Sequence, residues 1–329
     1  MMYTVLTNYK ITNYLYEKIE LHDSTNIINK RKIFNIKAFL LAKEIGRHDA
    51  YLALNPSSEV MIASFLAKYL LLKKTKIIYF DILLQRPTSF IEEIKRLFKI
   101  IILKSVDKFL CVHKDISGYE KVYKVKRNKF KYVPFKANNF NMVDKFKTED
   151  HKYVLSCGAS HRDYKTFILA MKQLGYPAII LLPSNDIAAF HNTKLIDSVL
   201  PENIEIIHHD FNRDTWNKFL ANSRLVVVPI TQGTIQPAGI SVCFEAMALG
   251  KPVLVTEGAF SNGILTDEMA KIVPCADPEA LAGSIKQLWE DEGLRKQLGD
   301  NGRTFALSLG GEDRLVKEML ENVYAVLTG

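Results

Sequence analysis

Cysteine is scarce: the 329 residues include four, Cys111, Cys157, Cys243 and Cys275. They have no close spacing and each lies in or beside an apolar segment, so neither a disulfide framework nor a zinc cluster is indicated, and a reducing cytosol fits. No run approaches eighteen uninterrupted apolar residues, and Met1-Met-Tyr-Thr-Val-Leu6 lacks the charged-then-apolar layout of a signal peptide. The expectation is a cytoplasmic chain that neither spans a membrane nor is exported. There is no Asp-x-Asp pair to hold a divalent metal, no internal repeat, no low-complexity tract and no recognisable nucleic-acid-binding module. Neither a metal, a cofactor nor a nucleic-acid partner is therefore expected.

What is there is a large folded chain, 48% hydrophobic and 24% charged, long enough for one big domain or, better, two. Charge divides it. Residues 1–150 hold 28 Lys and Arg against 15 Asp and Glu, whereas residues 151–329 hold 16 against 21. Between these parts Lys147-Thr-Glu-Asp-His-Lys152 is polar and aperiodic, as an interdomain linker would be. Short apolar runs suggest strands near 3–7, 50–54, 76–81, 108–112 and 131–133 in the first half. A second set lies near 153–156, 178–182, 204–208, 225–229, 253–256 and 270–273. Strands alternating with helical segments predict two α/β, Rossmann-like domains with parallel sheets facing one cleft. In such sheets ligands bind beyond the carboxyl ends of strands.

The most informative segment is Gly239-Ile-Ser-Val-Cys-Phe-Glu-Ala-Met-Ala-Leu-Gly-Lys-Pro-Val-Leu-Val255. Its helix is apolar on most sides yet carries one carboxylate, Glu245, and an ionised carboxylate buried there unpaired would cost several kcal/mol. Ser241 and Glu245 share one helical edge, just after a glycine that lets the backbone approach a ligand. Free N–H groups at the helix start, preceded by Thr234, Gln236 and Gly239, suit an anion, and a carboxylate one turn inside suits hydroxyls beside it. Phosphate next to a diol describes a nucleotide sugar. The plainer reading gives Glu245 to the helix dipole, for about 0.3–1 kcal/mol, or to Lys251.

Gly239 to Val255, and Phe244-Glu-Ala-Met-Ala-Leu-Gly-Lys-Pro-Val253 most densely, resembles the donor-site signature of the retaining glycosyltransferases of family 4, which have the GT-B fold. The resemblance implies that Glu245 holds the donor ribose hydroxyls and that the amides of the preceding loop, through Gly239, Ile240 and Ser241, contact the diphosphate and sugar. The family's second glutamate, eight residues earlier, is here Pro237, with Gln236 adjacent and able to serve hydroxyls through its amide. Tyr153-Val-Leu-Ser-Cys-Gly-Ala-Ser-His-Arg-Asp-Tyr-Lys-Thr-Phe-Ile168 is also similar to the family, reading strand, glycine loop at Gly158, helix. Where the family has an arginine directly after that glycine stands Ala159. Arg162 falls near the family's lysine and becomes the candidate to stabilise the departing diphosphate, with Lys165 in reserve. Read without the family, Arg162 and Asp163 would be an exposed first-turn pair worth little.

Asp81 closes an apolar strand where the family often has a histidine that meets the donor sugar, and is an acceptor-side candidate, although a strand-end aspartate is more often a cap. His113 ends the strand from Lys108 and would face the cleft, His161 adjoins Arg162, and His208-His209 would border a base pocket. Ile91 to Lys104 mixes apolar and cationic residues at helical spacing, and Lys124 to Lys131 adds a second cluster. Both suit an anionic membrane surface, and equally an ordinary helix that covers the sheet and solvates its lysines.

The resemblance implies a metal-independent, retaining transferase that moves a sugar from a nucleoside diphosphate to a hydroxyl on a saccharide or lipid-linked acceptor, in surface-polysaccharide or glycolipid assembly at the inner face of the membrane. The expected domains are 1–148 on the acceptor side, 149–309 on the donor side, and a final helix, 310–329, packing back on the first. The rivals are a GT-B epimerase or phosphorylase, and a noncatalytic GT-B scaffold kept alive by Pro237 and Ala159.

Overall fold

The computed structural model describes residues 2–16, 18–29, 34–183, 200–209 and 212–329. Two compact units result, Met1–Pro134 with Asp313–Gly329, and Phe135–Glu312.

The first unit follows the order β1 (Tyr3–Thr7), β2 (Ile19–Asp23), α1 (Thr25–Asn29), α2 (Phe34–Ile45), β3 (Ala50–Leu54), α3 (Ser58–Phe65), β4 (Lys76–Phe80), α4 (Phe90–Leu103), β5 (Lys108–Cys111), α5 (Ser117–Tyr123) and β6 (Phe130–Tyr132). Its strands pair in parallel in the order β2-β1-β3-β4-β5-β6. The inner strands are buried on both faces, Ala50–Ala53 and Ile77–Phe80 almost completely, as expected of a sheet covered by helices. Strand β2 is the one the apolar pattern did not announce. Ile-Glu-Leu-His-Asp buries only Ile19, because the strand lies at the sheet edge.

The second unit contains β7 (Val154–Cys157), α6 (Tyr164–Leu174), β8 (Ala178–Leu182), β9 (Ile204–His208), α7 (Arg213–Asn222), β10 (Leu225–Val228), α8 (Ile240–Ala248), β11 (Val253–Thr256), β12 (Lys271–Val273), α9 (Pro278–Glu290) and α10 (Glu292–Ser308). The parallel order is β12-β11-β10-β7-β8-β9. Strands β7 and β10 are neighbours although far apart in sequence, and from them the chain winds outward in opposite directions. Their carboxyl ends therefore flank the topological switch point, where open α/β sheets hold ligands.

The last helix, α11 (Glu312–Thr328), belongs with the first unit from Asp313 onward. Leu315, Val316, Met319, Leu320 and Val323 are buried, Tyr324 meets Tyr3 edge-on at 6.0 Å, and Tyr14 donates to Asp313 Oδ1 at 2.7 Å.

The boundary between units falls at Pro134/Phe135, not at the polar stretch 147–152. That stretch is fastened to the second unit: Glu149 N donates to Ala221 O at 3.0 Å, His151 N to Asn222 O at 2.9 Å, and Lys251 Nζ to Glu149 O at 2.7 Å. Polarity without periodicity marked a strap across the surface, and the compact division comes 14 residues earlier. Among the described residues no helix is long and apolar enough to cross a membrane.

Candidate functional site

Two loops meet at the switch point of the second sheet. After β7 the chain turns through Gly158 at φ +106°, where a Cβ would stand 2.6 Å from Nη2 of Arg162. After β10 it runs through Pro229 to Gly239, whose φ is +92° and whose Cβ would meet Val228 Cγ1 at 2.7 Å. The loops are zipped together: Asp163 N donates to Pro229 O at 3.0 Å and Thr231 N to His161 O at 2.9 Å. Both positions need glycine for conformation and for space.

Arg162 lies beneath this junction, 4% exposed. Nε donates to Cys157 O at 3.0 Å and Nη1 to Ser160 O at 2.7 Å, and Nη1 would be 3.7 Å from a Cβ on Gly239. Burial lowers its pKa, with Tyr164, Cys157 and Cys243 acting the other way. A guanidinium keeps its charge even so. Arg162 is thus neither half of an exposed first-turn pair nor on the loop surface: it is a fixed cation under two glycine turns. Asp163 instead caps α6, accepting from Thr166 N at 3.1 Å and Thr166 Oγ1 at 2.7 Å. Lys165 stands exposed on the first turn of α6.

Helix α8 begins directly after Gly239 with no side-chain cap, which leaves the first-turn N–H groups toward the loop without the usual partner. Ile240 is buried and Ser241 half-buried. One turn further, Glu245 is 1% exposed, yet its charge is matched within the protein. Arg213 Nη2 donates to Oε1 at 2.9 Å and Trp216 Nε1 to Oε2 at 2.6 Å. Lys251 is not the partner; its ammonium donates to the carbonyls of Glu149 and Ser223. The ring of Trp216 meets His209 edge-on at 5.3 Å. Asn139 ties the base of α8 to α7, its Nδ2 donating to Asn217 Oδ1 at 2.9 Å and to Glu245 O at 3.1 Å. Gln236 is 4% exposed, and its Oε1 has no hydrogen-bond partner among the described residues.

The second unit therefore gathers Gly158, Arg162, Gln236, Gly239, Ile240, Ser241 and Glu245 about one strand junction. Sequence reasoning missed Arg213, Trp216, Asn139 and Asn217. Asn212-Arg-Asp-Thr-Trp216, which reads as a helix cap and first turn, was the signal for two of them.

Asp81 and His113 lie in the first unit, at the carboxyl edge of its sheet. Asp81 is no cap: φ is +51°, its N–H donates to Leu110 O at 2.9 Å, and the enclosed Oδ1 has no partner among the described residues. Burial pushes its pKa up to about 6. His113 is 2% exposed rather than open to a cleft, stacks edge-on to Tyr119 at 5.2 Å, and finds no partner there for either ring nitrogen. Burial, opposed by Asp115, pushes its pKa down to about 4.

Two Rossmann-type parallel sheets with glycine turns at the switch point of the second define a GT-B protein. Residues 139–305 match the family of glycosyl transferases group 1, and the chain belongs to that family. A 68-residue stretch is 35% identical to the lipopolysaccharide core biosynthesis glycosyltransferase LpsD of Rhizobium meliloti (strain 1021), covering 20% of each chain. Among solved structures, Anabaena Alr3699/HepE in complex with UDP and glucose matches with a TM-score of 0.72 at 12% identity, over 98% of this chain and all of that one. A glycosyltransferase from Rickettsia africae ESF-5 matches at 0.70 and 14%, over 99% of both. At these identities the likeness is one of fold.

Proposed function

We propose that the chain transfers a sugar from a nucleoside-diphosphate sugar to a hydroxyl of a saccharide or lipid-linked acceptor, retaining the anomeric configuration and using no divalent metal. The observation that carries this reading is the join of the two glycine turns over Arg162, beside the uncapped start of α8, with Glu245 one turn inside.

In this reading the α8 amides and the cation beneath them take up the charge of the departing diphosphate. They are positioned before the reaction, so little reorganisation accompanies bond breaking. Glu245 holds the nucleoside ribose. Each of its oxygens accepts one internal bond, and a carboxylate oxygen has a second lone pair for a hydroxyl. Arg213 and Trp216 fix its rotamer, so the acceptor geometry for a diol is set in advance. Gln236, whose buried Oε1 has no partner among the described residues, meets the transferred sugar, and Lys165 supplies exposed positive charge at the mouth of the Gly158 loop. For retention without a protein nucleophile, the diphosphate oxygen takes the acceptor proton on the face it leaves. Asp81 orients the acceptor hydroxyl. Surface-polysaccharide or glycolipid assembly is the setting, supported by the name of the LpsD relative.

The test is thermal stabilisation by UDP-, GDP-, ADP- and CDP-sugars, for the parent and Glu245→Gln. A ligand at about 100 times its dissociation constant adds roughly 2.7 kcal/mol. A shift with one base that the variant loses supports the ribose role, and no shift with any donor removes it. Ala159 and Pro237, which depart from the family pattern, favour a second reading, a noncatalytic nucleotide-binding scaffold. A transferase slowly hydrolyses the donor it binds, whereas a scaffold returns it intact.

A further inference from the structure

Helix α4 is mounted inside out. Phe90, Ile91, Ile94, Leu97, Phe98 and Ile101 recur at helical spacing and form one stripe, yet they are 41–80% exposed, and Leu103 is the helix's only buried residue. The opposite side carries Glu92, Arg96 and Lys99 toward the protein body. Arg96 Nη1 donates to Val122 O at 2.8 Å, and burial lowers the pKa of Lys99. Amphipathic helices of water-exposed proteins place the apolar stripe inward. An ordinary sheet-covering helix with a solvated lysine face is thereby excluded.

The charge beside the stripe is predominantly positive. Lys104, Lys124, Lys126 and Lys129 line a cavity of about 370 Å³ together with Ile100 and Leu103, at the carboxyl-terminal end of α4. Lys95 is exposed on the helix itself. The two acidic residues of α4 are already engaged, Glu93 by Arg96 and Glu92 by the amide and hydroxyl of Thr88 at 2.6 and 2.9 Å. A row of large apolar side chains ending at a lysine-lined cavity is complementary to acyl chains beneath a layer of phosphates.

We infer that α4 and the adjoining lysine cavity dock this chain on an anionic lipid bilayer. The helix lies in the membrane plane. Its 14 residues span about 21 Å, short of the roughly 30 Å of hydrocarbon that a spanning helix must cross. The six apolar side chains enter the acyl boundary, while Lys104, Lys124 and Lys126 take lipid phosphates. This surface is independent of the donor site, and its test does not depend on transfer activity.

The experiment is sedimentation of the full chain with vesicles of neutral phosphatidylcholine, or of the same lipid with about one third phosphatidylglycerol, at low and high salt. Three proteins are compared: the parent, Leu97→Gln with Phe98→Gln, and Lys104→Gln with Lys124→Gln. All substituted positions are exposed, and melting curves verify the fold. Expected are partition onto anionic vesicles only, its loss in the apolar variant, and a fall of about tenfold or more in the lysine variant and at high salt. Absence of binding at low salt overturns the inference, and so does equal binding to neutral vesicles. A lipid-free dimer that the apolar variant abolishes also overturns it, because the stripe would then be covered by a second copy.

Discussion

At the scale of single residues, the half-buried Asp81 and the buried His113 are ionisable groups that pull stability in opposite directions with pH. Asp81 has its folded pKa raised from 3.8 to about 6, so its contribution is intact below about pH 4 and is lost as pH rises through 6. His113 has its folded pKa lowered from 6.5 to about 4, so its contribution is intact above about pH 6.5 and is lost as pH falls toward 4. Asp81→Asn should therefore raise stability at pH 8 by about 2 kcal/mol and leave it unchanged near pH 4. His113→Gln should be relatively more favourable at pH 4 than at pH 8. Urea denaturation at the two pH values checks both, and parallel curves for parent and variants would disprove the assignment. The enclosure of Asp81 Oδ1 and of the His113 ring was not legible in the sequence, because a strand-end Asp or His looks the same whether a loop covers it or not. Glu245 shows the other half of this limit. Its apolar surroundings announced a carboxylate in need of partners, but the partners come from a helix about 30 residues earlier, where Arg213 and Trp216 look like ordinary surface residues.

At the scale of elements, α7 has a structural task that links it to the donor site. Asn212 starts it, accepting from Asp214 N at 2.8 Å and Thr215 N at 3.3 Å, and the first turn then presents Arg213 and Trp216 to Glu245. Asn212→Ala should cost about 1 kcal/mol of stability through the lost cap. Because the same turn orients the carboxylate, it should also weaken nucleotide-sugar binding. Denaturation followed by tryptophan fluorescence gives the first effect, and thermal shift with the preferred donor gives the second. Loss of stability with unchanged affinity would separate α7 from the site. The elements themselves were largely readable: the buried parallel strands are continuous Val, Ile and Leu runs such as Leu225–Val228, which need no tertiary information to recognise. The edge strand β2 and the inverted helix α4 were not readable as such. Alternation with one buried residue gives β2 little signal, and the period of α4 fixes that it has an apolar face but not which way the face points.

At the scale of the whole molecule, the chain returns to its first unit only through α11. Five buried apolar side chains, Leu315, Val316, Met319, Leu320 and Val323, are contributed by this one helix. Burying each stabilises by about 1.5–3 kcal/mol, an upper estimate because the unfolded chain already shields part of that surface. The sum is comparable to the entire stability of a typical domain, roughly 5–15 kcal/mol. Deleting residues 313–329 should thus unfold the first unit while the second, which contains none of them, keeps its own core. The sequence provides a selective reporter, since its two tryptophans, Trp216 and Trp289, both lie in the second unit. In the truncated chain circular dichroism should lose signal from the first unit at ambient temperature, while the tryptophan fluorescence transition stays within a few degrees of the parent's. If the fluorescence transition collapses together with the helical signal, the two units depend on each other for stability. If neither signal changes, α11 is an ornament of the first unit rather than part of its core.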